Sequence, residues 1–290
     1  MISWHQLYNE GRERMTAAGN EQAALVLLNE LCAQKDINLY MEMENPADEE
    51  IMTDYLEGIH RMENGEPLGY VLGYEWFYGR AFDVNADVLI PRPETEELCG
   101  LVLQEYDAAF EGRPVTVFDV GTGSGAIGIT LACEEPNMKV IGSDISPEAL
   151  EMARHNAIKL KASVPFIEGS MLDPYIDRAL HSDILVCNPP YIPQEETMEH
   201  SVVDFEPHTA LFGGVDGLFF YREVLEKADQ VLNPGGFMAF EMGWNQAENL
   251  TALVHHYYPQ ARVEVHKDLS GKDRMLCVHP DSASPAGEDK

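Results

Sequence analysis

The run Asn188-Pro189-Pro190-Tyr191 follows directly on the apolar stretch Ile184-Leu185-Val186-Cys187. Two consecutive prolines fix φ twice and remove two backbone donors, so the turn offers carbonyl acceptors and little else. Asn188 adds an amide oxygen on one side and Tyr191 a flat aromatic face on the other. Together they form a socket for a planar group carrying an NH2, which points to chemistry on an amide or amino nitrogen. A tight turn after a buried strand would use the same residue types, so the choice rests on what surrounds them.

Upstream, the β-rich run Val115–Val120 carries Asp119 and ends in Gly121-Thr122-Gly123-Ser124-Gly125, which passes into a helical pattern. Glycines let a ligand approach the backbone closely, and a helix N-terminus offers free N–H groups. Glycines at alternate positions are not the Gly-x-Gly-x-x-Gly of dehydrogenases, and no Gly-Lys-Ser/Thr follows to make a phosphate loop. A second strand, Val140-Ile-Gly-Ser-Asp144, ends in a carboxylate placed to grip a ribose diol. Ser146 can cap the next helix, which leaves Asp144 free for that task. The combined pattern reads as a site for an adenosyl cofactor carrying a methionine tail rather than a pyrophosphate.

The order Asp119-x-Gly-x-Gly-x-Gly, Asp144, Asn188-Pro-Pro-Tyr191 resembles a class I S-adenosylmethionine methyltransferase acting on nitrogen. Four more segments narrow the resemblance: Asp87 to Glu96, Glu206-Pro207, Leu211 to Leu218, and Asp268 to Arg274. They are similar to the release factor glutamine methyltransferases, which methylate N5 of the glutamine in the Gly-Gly-Gln tripeptide of peptide-chain release factors. The resemblance runs from about residue 65 to 279, while residues 1–64 match only as a generic helical domain.

This resemblance implies roles for particular residues. Asn188, Pro189 and Tyr191 would be catalytic, and the whole run from Asn188 through Pro190 to Tyr191 would bind substrate. The Asn188 side-chain oxygen and the Pro189 carbonyl would accept the two amide hydrogens, and Tyr191 would pack on the flat amide. Ordering of this kind needs no strong base, and none is nominated. Asp119 would lie near the methionine amino group, Gly121, Thr122, Gly123, Ser124 and Gly125 around the methionyl end, and Asp144 at the ribose. Asn188 would also border the cofactor, and Met171 could pack on the adenine. The sequence departs from the family at Ser170, where an acidic residue is usual; a hydroxyl bonds an adenine amino group more weakly. Pro91 to Glu96 could simply start a helix, and the resemblance adds a place at the site's mouth. Glu206-Pro207 and Gly213-Gly214 would shape a lid, and Asp268 to Arg274 would be a hairpin turn with an ion pair.

Composition excludes several alternatives. Fifty acidic against nineteen basic residues give a net charge of −31. Duplex nucleic acid is held largely by Lys and Arg on phosphates. That argues against the chief rival, an N6-adenine nucleic-acid methyltransferase using the same socket, and against a membrane surface. A non-catalytic cofactor-binding scaffold is opposed by the intact Asn188 to Tyr191 run. The expected partners are class I release factors, with no direct nucleic acid and no membrane. Five scattered cysteines without Cys-x-x-Cys spacing read as reduced core residues, so no zinc site or disulfide frame is expected. The ten histidines form no ligand-spaced cluster and the N-terminus lacks a signal-peptide pattern, so a cytoplasmic, metal-free protein is expected.

The fold expected is α/β: a doubly wound, mainly parallel Rossmann-like methyltransferase sheet with antiparallel terminal strands, preceded by a small α-helical domain. The divisions are a helical substrate-docking domain at 1–73, a β-hairpin linker at 74–92, the methyltransferase domain at 93–280 and a disordered tail at 281–290. In the helical part, Leu25, Leu28, Leu31 and Cys32 share one face, and Ile51, Met52, Tyr55, Leu56 and Ile59 another. Expected helices include 94–106 and 217–232, and expected strands include 236–242.

Overall fold

The computed structural model describes residues 2–196 and 204–280. The tail expected at 281–290 lies outside them. The chain divides into two compact units. One takes in the chain up to Tyr74 and, from later in the sequence, Asp204 and Phe205; the other begins at Glu75 and takes in the remaining described residues.

The first unit is helical: α1 (Trp4–Ala17), α2 (Glu21–Ala33), α3 (Leu39–Glu42), α4 (Glu49–Glu63) and α5 (Leu68–Leu72). Ser3 and Gln6 form a reciprocal capping box on α1, and the Asp48 carboxylate accepts from the backbone of Glu50 and Ile51 to start α4. The buried face of α2 is Ala23, Ala24, Leu27, Leu28 and Cys32, so the expected stripe through Leu25 and Leu31 is rotated from the real one. Small alanines face the core there, which a count of large apolar residues overlooks. On α4 the buried set is Ile51, Tyr55, Gly58, Ile59 and Met62, with Met52 and Leu56 only half covered.

The second unit begins with the hairpin β1 (Tyr74–Phe77) and β2 (Arg80–Asp83), turned by Tyr78 and Gly79, both at positive φ (50° and 73°). A helix, α6 (Pro93–Phe110), follows with Pro93 in its first turn. Then come β3 (Val115–Val120), α7 (Ala126–Glu134), β4 (Met138–Asp144), α8 (Pro147–Lys159), β5 (Phe166–Glu168), α9 (Asp173–Ile176) and β6 (Ser182–Cys187). The unit closes with α10 (Phe219–Lys227), β7 (Leu232–Glu241), α11 (Ala247–Tyr257), β8 (Arg262–Lys267) and β9 (Asp273–His279).

Seven strands form one sheet in the order β5-β4-β3-β6-β7-β9-β8. The pairs from β5 to β7 are parallel, and β9 runs antiparallel to both β7 and β8. The expected fold class is therefore present, including the antiparallel end. The order reverses beside β3, between β4 and β6, the switch point where a crevice opens beyond the strand ends. Register aligns those ends: Val120 pairs with Ser143 on one side and Cys187 on the other, so the glycine turn, Asp144 and Asn188 emerge together.

Two elements differ from expectation. The helix expected at 217–232 starts only at Phe219, because Gly217 sits at φ 72°, and it ends in a 3-10 turn at Ala228–Gln230. Strand β7 starts at Leu232 rather than 236, since the β6–β7 register shifts between Ser182 and Ile184 and takes up the Asn-Pro-Gly-Gly stretch as an irregularity.

Candidate functional site

Beyond the ends of β3, β4 and β6 lies a cavity of about 370 Å³. Of the residues singled out from sequence, Gly121, Gly123, Asp144, Ser170, Met171, Asn188 and Pro190 line it. Asp119, Thr122, Ser124, Gly125, Pro189 and Tyr191 do not; they pack behind the lining. Phe212, from the Leu211 to Leu218 segment, adds apolar wall, as do Phe220 and Ile145, which sequence reasoning did not single out. Asp87, Val88 and Leu89 line it too, whereas Pro91 and Arg92 do not.

The glycine turn is held from both sides. Its backbone leaves β3 through N–H bonds from Gly121 and Thr122 to the Ser143 carbonyl, at 2.9 and 2.8 Å. Gly125, at φ 85°, caps α7, and a Cβ there would lie 2.7 Å from Ile129 Cδ1. Asp144 Oδ2 accepts from Gly123 N at 2.9 Å and Oδ1 from Ser146 N at 3.0 Å. Ser146 Oγ accepts from Ala149 N at 3.1 Å, so it caps α8 as expected. Asp144 is thus anchored, with one further lone pair on each oxygen for a ligand. Burial raises its pKa, partly offset by the backbone bonds from Ser146 and Gly123.

Asp119 is wholly buried under the turn. Its Oδ2 accepts from Gly128 N at 2.9 Å and Thr122 Oγ1 at 2.5 Å, while Oδ1 has no partner among the described residues. Burial pushes its carboxyl up to about 6, against the Thr122 and Gly128 bonds. Among the described residues the cavity is lined by the carboxylates Asp87 and Asp144 and by no Lys, Arg or His, which fits a cationic ligand better than a phosphorylated one. S-adenosylmethionine, with its sulfonium and ammonium charges, meets that condition.

At the tip of β6, Asn188 Nδ2 donates to Thr95 Oγ1 at 3.2 Å, and Thr95 Oγ1 donates to Glu241 Oε2 at 2.6 Å. The Tyr191 hydroxyl donates to the other oxygen, Glu241 Oε1, at 3.2 Å. The Tyr191 ring is partly buried against the apolar core on this side of the sheet, and its hydroxyl is engaged with Glu241. Among the described residues, none donates to the Asn188 side-chain oxygen or to the Pro189 carbonyl. The turn therefore carries two unfilled acceptors.

Leu211 to Gly217 pack on that turn. Ile192 N donates to Leu211 O at 3.0 Å and Gly213 N to Ile192 O at 2.8 Å. A Cβ on Gly217 would lie 2.3 Å from the Tyr191 carbonyl oxygen and 2.4 Å from Gln246 Nε2. Glu206, only 3% exposed, pairs with Arg92 and accepts from Ile90 N at 3.3 Å. Asp268 and Arg274 form the expected ion pair at 3.2 Å, and Arg274 also donates to Met242 O at the end of β7.

Glu241 and Gln246 were missed from sequence as site residues, and Thr95 was read only as part of the Pro91 to Glu96 stretch. The signal for Glu241 is a carboxylate ending an apolar run, Phe237-Met-Ala-Phe240. The structure also brings Glu105 to two neighbours on β9: His279 Nε2 lies 3.2 Å from Glu105 and 3.5 Å from Cys277 Sγ. Burial raises the Cys277 thiol to about 12, so this trio is a hydrogen-bonded set around a neutral thiol.

The fold and this site define a Rossmann-like methyltransferase. A methyltransferase-domain family model matches residues 112–277, and the model described as the PrmC N-terminal domain matches residues 6–73. The chain is 43% identical over 259 residues to the release factor glutamine methyltransferase of Bacillus anthracis, covering 89% of this chain and 92% of the relative. It is 42% identical over 269 residues to that of Bacillus subtilis strain 168, covering 91% and 93%. Among solved structures, the hMettl16 catalytic domain in complex with MAT2A 3'UTR hairpin 6 matches with TM-score 0.54 at 14% identity, over 82% of this chain and 85% of that one, a likeness of fold. The chain belongs to the release factor glutamine methyltransferase family.

Proposed function

We propose that this chain transfers the methyl group of S-adenosylmethionine to the side-chain amide nitrogen of the glutamine in the Gly-Gly-Gln loop of class I release factors, and so modulates translation termination. The observation that carries this reading is the pair of acceptors to which no described residue donates, Asn188 Oδ1 and the Pro189 carbonyl, in a turn whose Asn188 and Pro190 line a cavity suited to a cation. A primary amide has two N–H groups, and the two acceptors match them.

The bound cofactor supplies a methyl group already activated on sulfonium. The protein has mainly to align the nitrogen. Accepting both amide hydrogens concentrates electron density on nitrogen and holds it at one orientation, which supplies several kcal/mol of the barrier without a strong base. The amide proton becomes acidic as nitrogen is alkylated and leaves late to a carbonyl or water. Asp144 would grip the ribose diol, Gly121 to Gly125 the methionyl end, Asp119 Oδ1 the ammonium, and Met171 with Ser170 the adenine side. Tyr191 acts from behind, through Glu241.

The helical residues 1–73 would dock the body of the release factor. Two glycines before the glutamine suit a narrow entrance, since side chains there would collide. The N6-adenine alternative is opposed by the net charge of −31 and by a cavity lining that, among the described residues, holds no Lys, Arg or His. No helix of the described residues is long and apolar enough to cross a membrane, and the five cysteines are unpaired, which supports a cytoplasmic setting.

The test is Asn188→Ala and Asn188→Asp, with methyl transfer and cofactor affinity measured side by side. Loss of nearly all turnover with cofactor binding intact is expected. More than a few per cent of wild-type turnover in Asn188→Ala would contradict the role given to Asn188.

A further inference from the structure

The proposed alignment depends on which atom of the Asn188 amide faces the substrate. An amide turned over would present two hydrogens to a group that itself presents hydrogens. We infer that Thr95 and Glu241 are positioning residues that fix the orientation of the Asn188 amide, an inference that rests on the function proposed above.

Glu241 is 2% exposed, and strand register pairs Cys187 with Phe240, which brings Glu241 level with Asn188. An ionised carboxylate has acceptors only. Each of its oxygens takes a hydroxyl, Thr95 at 2.6 Å and Tyr191 at 3.2 Å; burial raises the Glu241 carboxyl, while these two hydroxyls and the charge of Arg274 favour the ionised form. The Thr95 hydroxyl has one hydrogen, and it is committed to Glu241. Toward Asn188 the Thr95 oxygen can then only accept, so it takes Nδ2–H at 3.2 Å. The other end of the amide, Oδ1, is left for a ligand. Thr95 is itself 5% exposed in the first turn of α6, with its N–H bonded to Arg92 O at 3.0 Å, so the hydroxyl is held by a fixed backbone.

The sense of every bond in this chain is set by the carboxylate. Glutamine at position 241 could donate to Thr95 Oγ1, freeing the hydroxyl hydrogen for Asn188 Oδ1 and turning the amide over. Valine at position 95 keeps the shape and removes the link. Serine keeps the link.

The experiment compares wild type, Thr95→Val, Thr95→Ser and Glu241→Gln. It measures kcat and KM on a purified release factor, cofactor affinity by calorimetry, melting temperature, and the side-chain NH2 resonance of Asn188 by NMR. Thr95→Val is expected to lower kcat by about 10–100-fold, the scale of a small misplacement of an aligning group. Cofactor affinity stays near wild type, the melting temperature falls because one buried Glu241 oxygen loses its donor, and the Asn188 NH2 resonance shifts. Thr95→Ser restores both turnover and resonance, and Glu241→Gln follows Thr95→Val in kcat. Undiminished kcat in Thr95→Val, or an Asn188 resonance that does not move, would overturn the relay. Failure of the parent reading shows separately, as wild type that leaves the loop glutamine unmethylated; the resonance reports the relay in either case.

Discussion

The backbone N–H of Gly123 donates to Asp144 Oδ2 at 2.9 Å, so the tip of β4 holds the glycine turn that follows β3. One carboxylate thus shapes the wall of the cavity on two strands at once. Asp144→Ala removes the acceptor for both Gly123 and Ser146 backbone groups as well as the contact proposed for the ribose. Hydrogen bonds to a charged group contribute about 1.5–3 kcal/mol each, so cofactor affinity should fall by at least about tenfold. Asp144→Asn, which keeps one oxygen, should fall less. Calorimetric titration checks both, and unchanged affinity in Asp144→Ala would remove this residue from the cofactor site.

Asp119 gives a pH dependence. Burial raises its carboxyl to about 6 in the ligand-free fold. A cation beside Oδ1 favours the ionised form, so cofactor affinity should be full above pH 6 and decline as pH falls below it. Asp119→Asn should bind more weakly and flatten the profile. In the ligand-free protein the sign is opposite: the fold holds this proton more tightly than the unfolded chain does. Its contribution to stability is therefore greatest in acid and is lost as pH rises from the usual carboxylate range to about 6. Titrations at several pH values would show the slope, and a flat wild-type profile would place the ammonium elsewhere.

Gly217→Ala tests the support under Tyr191. The new Cβ would meet the Tyr191 carbonyl at 2.3 Å, at a φ of 72° that side chains rarely adopt. Strain of this kind costs about 1–3 kcal/mol. A lower melting temperature and reduced turnover are expected, with cofactor affinity reduced much less. Wild-type melting and turnover would show that this segment yields freely.

Glu206→Gln tests the tie between the stretch after residue 205 and the loop before α6. The buried carboxylate serves Arg92 and Ile90 N together. Losing its charge weakens two bonds of a buried charged group, about 1–3 kcal/mol in all. Hydrogen exchange should quicken at Ile90 and over Ala210 to Gly213, and equal exchange rates would disprove the tie.

The parts of the site legible in the sequence are those set by neighbours in the chain. Two prolines and an aromatic after an apolar run mark the Asn188 turn, and alternate glycines after β3 mark the other wall. Their meeting follows from doubly wound topology, which the alternation of helices and strands implies. What was not legible joins distant residues. Thr95 and Glu241 are 146 positions apart, and Arg92 and Glu206 are 114 apart. Thr95 reads locally as a helix-start residue, and only the register of β6 on β7 brings a carboxylate to it. The misread face of α2 has a different cause: the helix packs through Ala23 and Ala24, whose small side chains carry little weight in an apolar pattern.

The most direct test of the central claim is methyl transfer from labelled S-adenosylmethionine. Purified release factor, its Gly-Gly-Gln loop variant with alanine for glutamine, and duplex DNA are offered in parallel, and peptide mass spectrometry locates the methyl group. The account predicts one methyl on the side-chain nitrogen of the loop glutamine, with none on the variant or on DNA. Methyl on DNA adenine, or no methyl on the glutamine of a release factor under conditions where the cofactor binds, would contradict it.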